Sequence, residues 1–152
     1  MHKEEMIGSF IRMSGALAAL LLAACSSAPA PAVVSPADVP TQDAATRTMP
    51  VVAGRPARVF VFAGWDAACA TTAAPQVTVT TAPAQGDVSF RPGQATSIAA
   101  SAGGTCGGRT VTGTGVYYTA RAGSSGTDRF AVEAKLASGE TDRRVFEVTI
   151  AE

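Results

Sequence analysis

The chain has 152 residues, and its 12 lysines and arginines balance its 12 aspartates and glutamates, so the formal net charge is zero. That length accommodates one domain together with processing and linking segments. A neutral chain has no basic field to release the counterions of a polyanion, so we expect no nucleic-acid partner.

The N-terminus has the pattern of a secretory signal. His2, Lys3 and Arg12 give it a weak positive charge, and residues 15–24 form an apolar run. The run is shorter than the about 20 residues that a membrane-spanning helix needs, and it suits the hydrophobic region of a signal peptide. The sequence leaves open which methionine starts translation: Met1, Met6 or Met13.

The apolar run closes with Leu-Ala-Ala-Cys at residues 22–25, which resembles a bacterial lipobox. The resemblance implies that residues 1–24 are removed and that Cys25 receives several acyl chains, palmitate among them. More than one chain suffices for stable anchoring. Ser26 follows the cysteine, and the absence of Asp there implies the outer membrane, on either face. The alternative is an ordinary signal peptide cleaved nearby, with Cys25 incidental.

Residues 25–50 predict a linker. Their hydrophobicity is mostly Ala and Val, without a helical or strand period, and they contain five prolines: Pro29, Pro31, Pro36, Pro40 and Pro50. Proline blocks helix interiors and sheet centres, so we expect an extended, semi-rigid tether. In polyproline II geometry, at about 3.1 Å per residue, it could hold a domain up to roughly 80 Å from the membrane.

Residues 51–152 predict the folded domain, an all-β, antiparallel sandwich of immunoglobulin type with about seven strands. Short β-rich runs alternate with Gly, Pro and Ser clusters, and Pro92 with Gly93 indicates one of the turns. The expected strands are residues 58–63, 76–81, 87–91, 96–99, 111–119, 128–134 and 144–150.

Alternation within these runs predicts which side chains face the core. The run 58–63 is apolar on both faces, so both should be covered. In the other runs we expect the following residues to point inward: Val77, Val79, Val88, Phe90, Val116, Tyr118, Phe130, Val132, Ala134, Phe146, Val148 and Ile150.

Three segments resemble bacterial Ig-like/cadherin-like modules. Residues 83–88 carry a Pro-x-x-Gly-x-Val hairpin, residues 115–120 a tyrosine segment, and residues 126–132 the pattern Gly-x-Asp-x-Phe. The resemblance implies the fold and a role in binding or spacing, and it transfers no catalytic residue. The acidic clusters of true cadherin repeats are missing, and Asp128 alone cannot supply the about six to eight oxygens of a calcium site.

Two cysteines remain once Cys25 is lipidated, and in an exported protein we expect Cys69 and Cys106 to form a disulfide. Closing a loop of 37 residues would stabilise the folded state by about 4 kcal/mol, because it lowers the entropy of the unfolded chain. Both cysteines lie in loop-like sequence, so the bridge should join two long loops at one end of the sandwich. Redox and metal roles are the alternatives, but there is no Cys-x-x-Cys and no histidine after the signal to complete a zinc shell.

Glycines flank Cys106 at residues 103–104 and 107–108, which raises the possibility of a phosphate cradle. Such a cradle needs a following Lys-Ser/Thr and a helix N-terminus. Arg109 instead leads into a predicted strand, so we expect a flexible hairpin loop.

The residues indicate no catalytic chemistry. The only histidine, His2, lies in the predicted signal, which excludes Ser-His-Asp and Cys-His arrangements from the mature chain. A small hydrolase with a carboxylate pair is the remaining enzymatic alternative. Most candidate acids fall in turns or on outward positions: Asp66, Asp87, Asp128, Glu133, Glu140, Asp142 and Glu147. We therefore expect no enzyme, no cofactor and no metal.

Trp65, Asp66 and Arg109 are the candidate binding residues, because they surround the predicted disulfide. An exposed Trp beside Asp and Arg suits a sugar or a peptide. The alternative is that Trp65 caps the core beneath the cysteine loop. The sequence thus predicts a lipid-anchored envelope protein with a non-catalytic interaction or structural module, whose partner is an envelope protein or a glycan; a carbohydrate- or peptidoglycan-binding module is the second interpretation.

Overall fold

The computed structural model describes residues 46–151. The predicted signal peptide, the predicted lipidation at Cys25 and the predicted linker up to residue 45 lie outside the described residues. Within residues 46–151 no helix is long and apolar enough to cross a membrane.

Seven strands form two sheets, as the sequence predicts. In chain order they are β1 (Val51–Val52), β2 (Ala57–Phe62), β3 (Gln76–Thr81), β4 (Gly86–Ser97), β5 (Thr110–Ala120), β6 (Gly126–Lys135) and β7 (Thr141–Ala151). One sheet has the order β1-β7-β6-β3 and the other β2-β5-β4. Neighbouring strands are antiparallel, except that β1 runs parallel to β7.

This division of the strands is of immunoglobulin type. The second, fourth and fifth strands share one sheet, and the third, sixth and seventh share the other. The short first strand pairs with the seventh. The predicted fold class is therefore confirmed.

One predicted turn is wrong. The runs 87–91 and 96–99 belong to a single strand, β4, which continues through Pro92 and Gly93. The pairing of β4 with β5 shifts between Arg91 and Gln94, and Gly93 takes a φ of 70°, so the two residues form a bulge. Proline is tolerated because β4 is an edge strand. The structure still has seven strands, because the merging of two predicted strands into β4 is offset by β1, which the sequence did not indicate as a strand.

A column of aromatic rings fills the space between the sheets. Phe62 contacts Phe60, Phe60 contacts Phe146, Phe146 contacts Phe130, and Phe130 stacks on Tyr118, with ring centroids 4.9 to 5.9 Å apart. Both faces of residues 59–62 are buried, and the inward faces predicted for β5, β6 and β7 are confirmed. Burying each large apolar side chain stabilises the fold by about 1.5 to 3 kcal/mol.

Val79 departs from the predicted core. It lies opposite the buried Val132 on β6, as its inward assignment requires, but 39% of its surface is exposed. The reason is that β3 is the outermost strand of its sheet, where the inner face is incompletely covered. Val77 is on the same strand and is only partly buried against the core. Val88 and Phe90 are also partly buried, and they lie on β4, an edge strand of the other sheet.

Asp128 is buried, and it is the exception among candidate acids that otherwise lie mostly in turns or on outward positions, as expected. Its carboxylate accepts hydrogen bonds from the Tyr118 hydroxyl at 2.8 Å, from the amides of Ala84 and Gln85 at 3.0 and 2.8 Å, and from the amide of Arg129 at 2.9 Å. Only 5% of the residue is exposed. Tyr118 is on β5 and Asp128 on β6, so this bond joins the two sheets.

The turn from β3 to β4 is held by the same cluster. Arg121 donates to the carbonyls of Ala84 and Gly86, and the Ser124 hydroxyl donates to Gln85. A side chain at Gly86 would clash with the Tyr118 ring, which explains the glycine of the Pro-x-x-Gly motif. The motifs at residues 83–88 and 126–132 are therefore two halves of one structural contact.

Burial and hydrogen bonding together shift the pKa values of Asp128 and Tyr118. Burial raises the pKa of Asp128, but the bonds from Tyr118 and the three amides outweigh it and hold that pKa below the ordinary 3.8. Burial, followed by the hydrogen bond to Asp128, raises the pKa of Tyr118 well above its usual range.

We expect acid to remove the stabilisation that Asp128 provides. Its pKa is lower in the folded than in the unfolded state, so the contribution is complete above pH 3.8 and is lost as the pH falls through the folded-state pKa. Asp128→Asn should lower the free energy of unfolding by about 2 to 4 kcal/mol at pH 7. The reason is that the NH2 group of Asn is itself a hydrogen-bond donor, and it would face the hydroxyl and amide donors that bind the carboxylate. Urea denaturation between pH 7 and pH 2 should show this difference shrinking in acid.

Asp87→Asn is the matched control for Asp128→Asn. The Asp87 side chain is 78% exposed in the neighbouring strand, so its replacement should change the free energy of unfolding by no more than about 0.5 kcal/mol. A difference between wild type and Asp128→Asn that stays constant down to pH 2 would contradict the assignment.

Candidate binding cleft

The predicted disulfide is present. Cys69, in the loop of residues 63–75, is bonded to Cys106, at the end of a 3₁₀ turn (Gly104–Cys106), with the two Cα atoms 5.4 Å apart. It joins the β2–β3 and β4–β5 connections, which lie with residues 136–140 at one end of the sandwich. We call this the disulfide end. The prediction that the bridge joins two loops at one end is confirmed.

A small second core supports the bridge. Ile98, Cys106 and Val111 are buried together, and Ala63, Trp65 and Cys69 pack against them. The glycine-rich segment before Cys106 is not the flexible hairpin that was predicted, because it contains a single-turn helix, α1 (Ala100–Gly103), ahead of the 3₁₀ turn. A side chain at Gly103 would clash with Ile98, so the glycine allows this turn to pack on the second core.

The three candidate binding residues occupy different surroundings. The Asp66 side chain shapes its own loop, because its Oδ1 accepts from the amides of Ala68 and Ala70, both at 2.9 Å. Arg109 is exposed, and its carbonyl accepts from the Ile98 amide at 2.8 Å. Trp65 is partly buried on the second core, and it also lines a cleft that neither Asp66 nor Arg109 reaches.

The cleft lies at the disulfide end and has a volume of about 640 Å³. Its walls come from residues 60–65 of β2 and the following loop, from residues 96–102 around α1, and from residues 136–144 at the start of β7. All three connections of this end contribute, and the disulfide ties two of them together. Small-molecule and peptide sites commonly have about this size.

The lining combines an apolar floor with a polar rim. Phe60, Phe62, Trp65, Ile98 and Val111 supply the apolar surface. Hydroxyls and carboxylates surround it, from Thr72, Ser101, Ser138, Glu140 and Asp142 among others. This distribution suits a ligand with one apolar face and several hydroxyl or amide groups.

Arg144 places a cation inside the cleft. Its guanidinium lies 4.3 Å above the Phe60 ring, and its Nε donates to Asp142 Oδ2 at 3.0 Å. Its side chain is only 19% exposed. A stacked and ion-paired arginine is held in one orientation, so its charge has a fixed position in the cleft lining.

Arg144 was not predicted as a binding residue, although its position in the sequence indicates one. Arg144 lies two residues before Phe146, on the inward face of the alternating run in β7. An arginine at an inward position near a strand end is a reason to expect a lined cavity there.

Within residues 46–151 no group of three or more His, Cys, Asp or Glu side chains is placed to hold a metal ion. No protein-family model, curated protein or solved structure matches this chain. Its functional assignment therefore depends on the cleft and on the sequence.

We expect the disulfide to hold the cleft walls. Replacing both cysteines, Cys69→Ala with Cys106→Ala, should lower the free energy of unfolding by about 2 to 4 kcal/mol, because the unfolded chain regains the entropy of an open loop. Urea denaturation should measure the same loss in reduced wild type, which serves as the control. Identical unfolding midpoints of wild type with and without reductant would contradict this role.

Proposed function

We propose that this protein is a lipid-anchored lipoprotein of the bacterial cell envelope, and that its Ig-like domain is a non-catalytic binding module. The observation that carries the binding role is the cleft at the disulfide end, with its apolar floor, polar rim and fixed Arg144. The lipobox-like residues 22–25 and the proline-rich segment after them support the anchor and the tether.

The cleft has the features of a recognition site. Ig-type sandwiches bind partners with loops clustered at one end, on a scaffold that the sheets keep rigid. The disulfide cross-links two of the three loops, so these loops lose less conformational entropy when a partner binds. The proposed partner is a protein or glycan of the envelope that presents an apolar group to the floor and polar groups to the rim.

Site-specific photo-crosslinking in living cells tests this function. A photoreactive side chain at Ser101, an exposed residue of the cleft, should yield a discrete adduct, and one at Ser89, an exposed residue of β4 outside the cleft, should not. Cys25→Ser should move the protein out of the membrane fraction and remove the adduct. Equal adducts from Ser101 and Ser89, or membrane retention of Cys25→Ser, would contradict the proposal.

A glycan such as peptidoglycan is the second candidate partner, and Trp65 is the observation that favours it. A partly exposed indole in a cleft with several hydroxyls offers the flat apolar surface on which a sugar ring packs.

Co-sedimentation with purified sacculi tests the glycan candidate. The wild type should sediment with sacculi, and Trp65→Ala should bind at least about tenfold more weakly, which corresponds to losing about 1.4 kcal/mol. Tyr117→Ala is the matched control, because Tyr117 lies on the outer face of β5, where it donates to Gln94. Equal sedimentation of wild type and Trp65→Ala would exclude a glycan held by Trp65.

A further inference from the structure

Two arginines of the described chain carry charge that no carboxylate neutralises. Residues 46–151 contain ten lysines and arginines against seven aspartates and glutamates, so this part has a net charge of +3 although the whole chain is neutral. Arg121, Arg129 and Arg144 each form an ion pair with a carboxylate. Arg58 and Arg91 are exposed and form no ion pair within residues 46–151.

Both of these arginines lie on the outer face of the β2-β5-β4 sheet. Tyr118 points into the core, so its neighbour Tyr117 points outward. Arg58 on β2 is opposite Tyr117, and Arg91 on β4 is opposite Gly115, two residues away on β5. Because directly opposed side chains share a face, the two arginines flank Tyr117, one on each neighbouring strand.

A glycine and the bulge in β4 build a support between the two arginines. A side chain at Gly115 would clash with Gln94 and press on the Tyr117 ring, because both lie over this glycine. The bulge places Gln94 so that its Oε1 accepts from the Tyr117 hydroxyl at 2.6 Å and its Nε2 donates to the Pro92 carbonyl at 3.3 Å. The Tyr117 side chain therefore has a fixed position over the sheet.

This support orients both guanidinium groups. Arg91 lies over the Tyr117 ring, 4.2 Å from its centroid. Arg58 crosses β5 and donates from Nη1 to the Ala95 carbonyl on β4 at 3.3 Å. A guanidinium has about five N–H donors, so these contacts leave most of the donors for a partner. We call Arg58, Arg91, Gln94 and Tyr117 the arginine face.

The arginine face has the chemistry of a phosphate-binding surface. Guanidinium groups are weakly hydrated, and their paired donors match the oxygens of a phosphate. The contacts of Arg58 and Arg91 already restrict their side chains, so binding costs them less conformational entropy. Both lie on an open sheet surface, which fits an extended layer of phosphates.

We propose that the arginine face binds the phosphate groups of an anionic lipid surface and docks the β2-β5-β4 sheet on the membrane. This step rests on the proposed function, because the anchor at Cys25 keeps the domain close to the lipid phosphates and gives them a high effective concentration. Two arginines at an anionic surface favour the docked orientation by about thirtyfold.

Fluorescence quenching on vesicles tests the docking. Residues 25–152 are coupled through Cys25 to a maleimide lipid, which supplies an anchor independently of acylation. Trp65→Phe removes the only tryptophan, and Ser89→Trp or Thr149→Trp then places one reporter on the outer face of each sheet. The quencher is a nitroxide on the headgroup of a neutral lipid.

The two reporters should differ only on anionic vesicles. With phosphatidylglycerol present, Ser89→Trp should be quenched at least about threefold more than Thr149→Trp, because the arginine face then lies on the headgroups. On vesicles of phosphatidylcholine alone the two should be quenched equally. Equal quenching on phosphatidylglycerol vesicles would overturn the proposal.

Charge-matched variants identify the arginines. Arg58→Gln with Arg91→Gln should make the quenching of the two reporters equal. Lys135→Gln with Arg143→Gln is the matched control, because it removes the same charge from exposed positions on the other sheet, and it should leave the difference unchanged. The same loss in both pairs would show an effect of net charge alone and would overturn the proposal.

Free phosphate and a protein are the competing ligands. Inorganic phosphate, added at constant ionic strength, should leave the difference between the reporters unchanged. If it abolishes the difference, the site belongs to free phosphate and the proposal is overturned. A discrete protein adduct from a photoreactive side chain at Ser89 in cells would assign the face to a protein and would also overturn it.

This test is separate from the tests of the proposed function. A lipid contact adds no protein adduct at Ser89, and purified sacculi contain no lipid, so Ser89 and Tyr117 remain controls for the cleft. The vesicles contain no ligand for the cleft, and the maleimide lipid replaces the natural anchor. A failure of docking is therefore distinguishable from a failure of Ser101 crosslinking or from membrane retention of Cys25→Ser.

Discussion

The hydrogen bond from Tyr118 to Asp128 sets the relation between the two sheets. Apolar packing is not directional, so the aromatic column alone would let one sheet slide over the other. A bond to a buried carboxylate has a defined length and direction, and it is stronger than a bond between neutral groups. Since the same carboxylate also binds the amides of Ala84 and Gln85, one side chain fixes the sheets and the turn between them.

The two ends of the sandwich are stabilised by different means, and this difference makes room for a site. The end with Asp128 is filled with hydrogen bonds that satisfy the backbone of the β3–β4 turn. At the disulfide end, a covalent bond restrains the loops, so they need not fill the space between them to stay ordered. A cleft of about 640 Å³ can therefore persist in a domain whose interior is otherwise closely packed.

Alternation predicted the strands well because most of them have one covered face. It failed at Pro92 and Gly93, since the same dipeptide serves a turn or an edge bulge and only the neighbouring strand decides between them. Alternation also places Asp128 two residues before Phe130, on the inward face. Its partners Ala84 and Gln85, however, come from a turn distant in the chain, which no local pattern encodes. The site was predictable only in part. The cysteine count indicated the bridge, whereas the separate surroundings of Trp65, Asp66 and Arg109 depend on loop conformation.

The bulge in β4 has a consequence for neighbouring molecules. A twelve-residue strand at the edge of a sheet displays a row of main-chain donors and acceptors that can recruit another strand edge, the first step of aggregation. Pro92 lacks one of those donors, and the bulge at Gly93 bends the strand so that the row is no longer straight. Two copies therefore cannot align their β4 edges over the full length. Pro92 and Gly93 thus give this long edge strand the proline and the bulge by which sheet proteins commonly limit edge-to-edge pairing.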